Sequence, residues 1–501
     1  MNKPSKLYQN TAIVTTLSVL ERALGFLYRV VLARLLGAEG VGVYQIALSH
    51  FFMLRTLGGG GLPVTLSRSV SRFGAEGAKR KQGGALLAAL ALSLCITLPI
   101  TLILLPFAHT IPFFSADASV LKILVISLAA TCAYAVIKGY LWGNQRFLAP
   151  AVLEIIEEIL TVVFGVLFLL FARELTPVTG AQKAALGMMI ACVLSFLLAL
   201  AVLAAAKPKF SSPKPFLKQT LLSSFPITAV RAGGTLVNSA VAVLLPAMLI
   251  KCGMAESEAL QAFGVATGMV LPLLSIPMTV IGSLATVLVP ELAADAQRGN
   301  RLRLRANVEK GVYFSVLTAC LLLPIFFSIG KPLGMLTFSN ALAGEMLERC
   351  CIILLPMSLC ALAGSVLNSL GYEKQNFVIS LVGSAIFLLC VLFLPKLLGI
   401  YAFHAAMLIE LLFCAAATII FLQRRCPLSL PFYQKSGCCI VLLLPLSLLG
   451  KGCYALTRQF LGAWSAPLVA ALFTLLITAA AFLLLRLLPT VSLKNFFRKR
   501  R

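Results

Sequence analysis

Apolar positions in this chain come in blocks. Stretches of twenty or more residues, almost wholly Leu, Val, Ile, Ala and Phe, alternate with short polar joints rich in Lys, Arg, Gly or Pro. Repeated blocks of that length are the mark of helices that cross a bilayer many times. A hydropathy window of about 19 residues predicts about fourteen spans. They fall near 10–36, 41–66, 84–107, 118–142, 148–172, 184–206, 217–250, 262–290, 308–331, 348–370, 377–398, 400–423, 437–458 and 463–488. No stretch remains for a water-soluble domain. The first block is long and internally charged and has no small-x-small cleavage site, so it is expected to be an uncleaved first helix.

Composition agrees with the pattern. The chain of 501 residues is 60% hydrophobic and only 12% charged, with a mean hydropathy of +0.99, too little polar surface to cover a soluble globule of that size. The net charge of +25 would suit nucleic acid, but the basic residues sit in alternate joints, as the positive-inside rule requires. One set of joints (the N-terminus, 68–81, 146, 207–218, 298–310, 374, 424–435 and 494–501) carries about 26 Lys and Arg against about 8 in the other. A nucleic-acid partner is therefore not expected. Both termini are expected in the cytoplasm of a bacterial plasma membrane. The 14 cysteines show no metal-type pairing, and most are read as small buried hydrophobes.

Two parts of the chain carry matching fragments. "KGYLWGNQRF" (138–147) aligns with "LNSLGYEKQNF" (367–377) across a one-residue gap. "LPVTLSRSVSRFGAEGAKRK" (62–81) aligns with "LATVLVPELAADAQRGNRLR" (284–303), setting Gly77 opposite Gly299. More weakly, "RALG" (22–25) answers "RAGG" (231–234). The expected architecture is all-α and polytopic: a six-helix N-lobe in 1–206, a parallel six-helix repeat as C-lobe in 207–436, and two appended helices with a basic tail in 437–501. Parallel repeats of this kind build transporters that work by alternating access.

Ionisable residues inside spans are the candidate chemistry, because an Arg near the bilayer centre costs about 2.5 to 3.5 kcal/mol to insert. The first span, "VLERALGFLYRVVLARLLG" (19–37), holds Glu21, Arg22, Arg29 and Arg34. Seven residues turn a helix through about 700°, so Arg22 and Arg29 share a face about 10 Å apart, with Gly25 between them. Arg34 is expected to snorkel toward the membrane surface. Arg55, Lys138 and Arg231 add further cations. If they converge, they form a basic cavity suited to an anionic substrate such as a phosphate or diphosphate, which guanidinium groups grip through paired hydrogen bonds. Ion pairing with Glu21 and the acids of span five is the competing explanation. Those acids, Glu154, Glu157 and Glu158, lie at i, i+3 and i+4 and are either counter-charges for the arginines or a coupling site for a proton or cation. Glu410 is an isolated acid in span twelve. The run "TLGGGGLPVTLSR" (56–68) has no Lys-Ser/Thr after its glycines and is not a phosphate loop. Gly58, Gly59, Gly60, Gly61 and Pro63 are instead expected to break span two and let it bend. With only His50, His109 and His404, and no HExxH or GxSxG, an enzyme is not expected, nor is a cofactor or metal.

The run "RALGFLYRVVLARLLGAEGVGVYQ" (22–45), followed by "GLPVTLSRSVSRF", resembles the sporulation branch (stage V sporulation protein B type) of the polysaccharide transporter family. That family lies within the multidrug/oligosaccharidyl-lipid/polysaccharide exporter superfamily and is akin to the lipid II flippase. The resemblance implies two six-helix lobes that flip a lipid-linked sugar precursor, carried on undecaprenyl diphosphate, from the inner to the outer leaflet. Lipid II is the leading candidate, in spore cortex peptidoglycan synthesis, with another lipid-linked oligosaccharide or polysaccharide precursor as the rival. It also implies that Arg22 occupies the first arginine of an R-x-x-G-F-type cavity motif, that Arg29 stands one residue later than in the lipid II flippase, and that spans thirteen and fourteen form a groove for the lipid tail. Sodium-binding acids of some relatives have no counterpart here. Expected partners are the lipid-linked precursor, membrane lipids and envelope or sporulation machinery, with a monomer as the plausible state. An ion-coupled multidrug exporter and a non-transport membrane scaffold stand as alternatives from other classes.

Overall fold

The computed structural model describes residues 6–111, 113, 114, 118–172 and 174–488. The basic tail at 494–501 lies outside the described residues. Nineteen α-helices follow in order: α1 (Lys6–Gly59), α2 (Leu62–Ala75), α3 (Lys79–Phe107), α4 (Ala118–Ile126), α5 (Leu128–Gly143), α6 (Leu148–Leu170), α7 (Pro177–Ala205), α8 (Lys214–Lys251), α9 (Glu256–Gly264), α10 (Leu271–Gln297), α11 (Arg301–Phe338), α12 (Ala341–Cys350), α13 (Leu354–Ser369), α14 (Glu373–Phe393), α15 (Pro395–Leu398), α16 (Ala402–Arg425), α17 (Leu430–Val441), α18 (Leu443–Phe460) and α19 (Ser465–Leu484). No strand occurs among the described residues. The protein is an all-α, multi-pass membrane protein.

By length and apolarity, eleven of the described helical runs can cross a membrane, or twelve if the pair α4–α5, bent by 45°, is one span. Two stretches separate this count from the expected one of about fourteen. Ile13–Ala75 runs as one apolar stretch, although Gly37, with φ 68° and ψ 176°, interrupts its helical backbone. Helix α6 is long and apolar but carries three carboxylates, Glu154, Glu157 and Glu158, too many for composition alone to admit it.

Contacts divide the chain into two compact units, one ending at Met269 and the other starting at Val270. The expected lobe boundary at 206/207 is a different division from this one by contact. In the first unit α1 packs along α6, α7, α8 and α9, while α5 packs on α2, α3 and α7. Its core holds Leu66, Val70, Tyr134, Ile137 and Leu141. Small residues set these crossings, as expected where lipid tails compete with side chains for apolar contact. A Cβ at Gly139 would stand 2.5 Å from the Pro63 carbonyl oxygen, and one at Gly143 2.7 Å from Val70 Cβ, so a Gly-x-x-x-Gly face on α5 lies directly on α2. A Cβ at Gly165 would stand 2.0 Å from the Tyr28 hydroxyl. In the second unit α11 packs on α10, α12, α13, α17, α18 and α19, and α14 on α16. Its core includes Leu292, Val312, Leu362 and Val366.

The segments matched by sequence form the same turns. Gly77 and Gly299 have φ 69° and 67°. Each turn closes with the same bonds: Gly77 N to Gly74 O and Ala78 N to Phe73 O in one, Gly299 N to Ala296 O and Asn300 N to Asp295 O in the other. This left-handed glycine ends each helix by returning amides to its last carbonyls. The second matched pair closes with the same bond pattern in a shifted register: Gln145 N to Trp142 O and Arg146 N to Leu141 O answer Gly371 N to Asn368 O and Tyr372 N to Leu367 O, whereas the sequence match sets Lys138 against Leu367. Here Gln145, with φ 60°, takes the place of Gly371, with φ 82°.

Candidate functional site

The sequence offered a tetraglycine break and a set of intramembrane charges, and the first unit brings several of them together. Helix α1 ends at Gly59 and α2 starts at Leu62, so the backbone at Gly60 and Gly61 leaves the orphan carbonyls of one helix end beside the orphan amides of the next. Helix α8 satisfies both. Arg231 Nη1 donates to the Gly60 carbonyl at 2.7 Å, and the Gly61 amide donates to Thr228 Oγ1 at 3.0 Å. A Cβ at Gly61 would stand 2.3 Å from the Ser224 carbonyl oxygen, and one at Gly58 2.4 Å from Thr97 Cγ2, whereas Gly59 has nothing closer than 3.7 Å. Gly58 and Gly61 are therefore contact glycines as well as helix breakers. Pro63 falls in the first turn of α2, where its missing amide is harmless.

Arg55 and Arg231 line one pocket of about 270 Å³ with Thr56, Gly59, Gly60 and Pro63. Arg55 is held through its backbone by Cys132, whose Sγ lies 3.5 Å from the Arg55 carbonyl. The charge pair reads on into the bundle: Arg55 lies within electrostatic range of Tyr134 on α5, which in turn senses Glu157 and Glu154.

The acids of α6 separate by partner. Lys138, 9% exposed, donates to Glu154 Oε1 at 2.9 Å and rests over the Tyr134 ring at 4.4 Å from its centroid. Cys192 Sγ lies 3.9 Å from Glu157 Oε1. Glu158 covers Gly25, where a Cβ would stand 2.9 Å from Oε1, and lies within electrostatic range of Arg29. Glu21 faces Glu154, Lys138, Glu157 and Arg22. Arg22 and Arg29 both keep accessible side chains. Glu21 lies within electrostatic range of all three acids, while Lys138 on α5, Cys192 on α7 and Gly25 on α1 approach Glu154, Glu157 and Glu158 respectively. Among the described residues no group of three His, Cys, Asp or Glu is placed to hold a metal ion.

Thr228 and Ser224 were missed by sequence reasoning. They stand at i+4 and i of a stripe that ends at Arg231, i+7, and a polar stripe in an apolar helix was the available signal. Arg34 is exposed, and Glu410 lies in the second unit beside Gly383 and Cys414.

Residues 7–294 match the model of a family described as polysaccharide biosynthesis protein. The chain belongs to that family. Within it, the chain is 27% identical over 406 residues to stage V sporulation protein B of Bacillus subtilis (strain 168), covering 75% of this chain and 76% of that one. Its fold is similar to that of the lipid II flippase MurJ in an inward closed conformation, which superposes with a TM-score of 0.73 at 14% identity, covering 94% of this chain and 98% of MurJ. An inward-facing multidrug resistance MATE family transporter of the MOP superfamily gives 0.68 at 16% identity, covering 81% and 94%.

Proposed function

We propose that this protein is a flippase for a lipid-linked sugar precursor, and that the basic residues of the first unit receive its diphosphate. The observation that carries this reading is the pocket shared by Arg55 and Arg231 at the Gly60–Gly61 break. Two guanidinium groups in one small cavity suit an anion with several oxygens, and a cationic drug would meet repulsion there. In the present state one donor of Arg231 is occupied by the Gly60 carbonyl. An incoming diphosphate competes for that guanidinium, so substrate arrival and release of the α8 contact are coupled. Arg22 and Arg29, along α1, extend the basic path, while Glu21, Glu154, Glu157 and Glu158 act as counter-charges that hold the empty site together. Gly58 to Gly61 and Pro63 form the joint at which alternating access is accommodated. Similarity to stage V sporulation protein B and to MurJ supports undecaprenyl-diphosphate-linked lipid II as the first substrate to test; a precursor of another glycan is the rival.

The test is flipping of fluorescent lipid II, and separately of an undecaprenyl-diphosphate oligosaccharide, by the full chain in vesicles. Arg55→Ala with Arg231→Ala is expected to cut the initial rate by more than about tenfold, the loss of about 1.4 kcal/mol or more of substrate-linked interaction, with insertion and thermal stability retained. A wild-type rate in the stable double variant would overturn the assignment. Faster flipping of the oligosaccharide than of lipid II would replace lipid II by that substrate class.

A further inference from the structure

The first unit contains a second concavity that the transport reading does not use. The α5–α6 turn, the start of α6 and the end of α7 enclose a groove of about 600 Å³. Leu148, Val152 and Ile156 form its α6 wall, and Leu198 and Ala201 its α7 wall. The three α6 residues are spaced i, i+4, i+8, a stripe that runs about 12 Å along the axis. The polar lining is confined to one end, at Gln145 and Arg146. Arg146 is exposed, and no carboxylate among the described residues pairs with it. The turn is firmly built: Gln145 takes φ 60°, and the Arg146 amide bonds to the Leu141 carbonyl at 3.0 Å.

We infer that this groove is a binding site for an anionic phospholipid, with its phosphate at Arg146 and one acyl chain along the α6–α7 stripe. A guanidinium at one end of an otherwise apolar trough complements a molecule that is anionic at one end and aliphatic along its length. Basic pockets between membrane helices near the membrane surface take such headgroups, and the volume lies within the usual range of small-molecule sites. The wall spans both α6, which carries Glu154 and its neighbours, and α7, which packs on it. A lipid seated there braces the helix that holds the counter-charges.

Native mass spectrometry of the detergent-purified full chain, with chain-matched phosphatidylglycerol and phosphatidylcholine, tests the site. The wild-type chain is expected to retain phosphatidylglycerol preferentially. Arg146→Gln should lower that retention about fivefold, the effect of one basic side chain at a membrane surface. Arg146→Lys should keep most of it, and Ala201→Trp, which fills the trough, should lower it without touching Arg146. Equal retention of the two lipids, or unchanged retention in a folded Arg146→Gln variant, would overturn the inference. So would displacement of phosphatidylglycerol by undecaprenyl phosphate at equal concentration, which would give the groove to a polyprenyl chain.

Discussion

At the scale of single residues, position in the break separates glycines that look identical in sequence. Gly61 has a carbonyl of α8 where its Cβ would be, and Gly59 has ordinary contact distances. Gly61→Ala is therefore expected to push α8 away, losing the Thr228 and Arg231 bonds and lowering flipping at least tenfold, whereas Gly59→Ala should stay within about twofold. Equal flipping rates for the two variants would refute the contact. The Lys138–Glu154 pair, its lysine buried, makes a second prediction. Lys138→Met leaves the half-buried Glu154 beside Glu21 without its cation and should destabilise the fold by about 3 kcal/mol, while Lys138→Met with Glu154→Gln should recover most of that loss. Unfolding in mixed detergent micelles measures both; an unrecovered double variant would show that Lys138 acts by packing on Tyr134 alone. The charged positions were legible in the sequence because ionisable groups are rare in spans. Their partners were not, since the i, i+3, i+4 spacing of the α6 acids says that they neighbour one another and nothing about which of three helices each one meets.

At the scale of elements, the matched turns after α2 and α10 rest on glycines in the left-handed region, at Gly77 and Gly299. A Cβ at either would meet nothing within 4 Å, so the penalty for alanine is conformational alone. Gly77→Ala and Gly299→Ala are each expected to cost about 1 kcal/mol, and by similar amounts. A loss more than about threefold larger in one of them, measured by equilibrium unfolding, would show that the two turns are not equivalent. The α5 face of Gly139 and Gly143 belongs to the same scale: leucine at either should part α5 from α2 and lower the apparent melting temperature in detergent. The periodicity of small residues could have revealed that face, and the sequence reading passed over it in favour of the repeat that overlaps it. Helix α1 ends at Gly59 and α2 starts at Leu62, and the joint between them also seats α8 through residues some 170 positions away.

At the scale of the whole molecule, the charge in alternate joints predicts an orientation with both termini in the cytoplasm. Fluorescent-protein fusions at the N-terminus and at the C-terminus are both expected to fluoresce, as they do only in the cytoplasm; a dark C-terminal fusion beside a normally inserted chain would require an odd number of crossings. The blocks of apolar residues decided by themselves that the chain is helical and membrane-embedded, because a bilayer core satisfies backbone groups only within such segments. Sequence also marked Arg55, Arg231 and the four glycines as unusual for the same environment. Tertiary structure alone decided that Arg55 and Arg231 share a pocket, that Thr228 and Arg231 close the break, and that Lys138 pairs with Glu154. The physical reason is that insertion into lipid is a property of each segment taken singly. Pairing between helices depends on where small residues let backbones approach, and that choice is made only when the segments pack together.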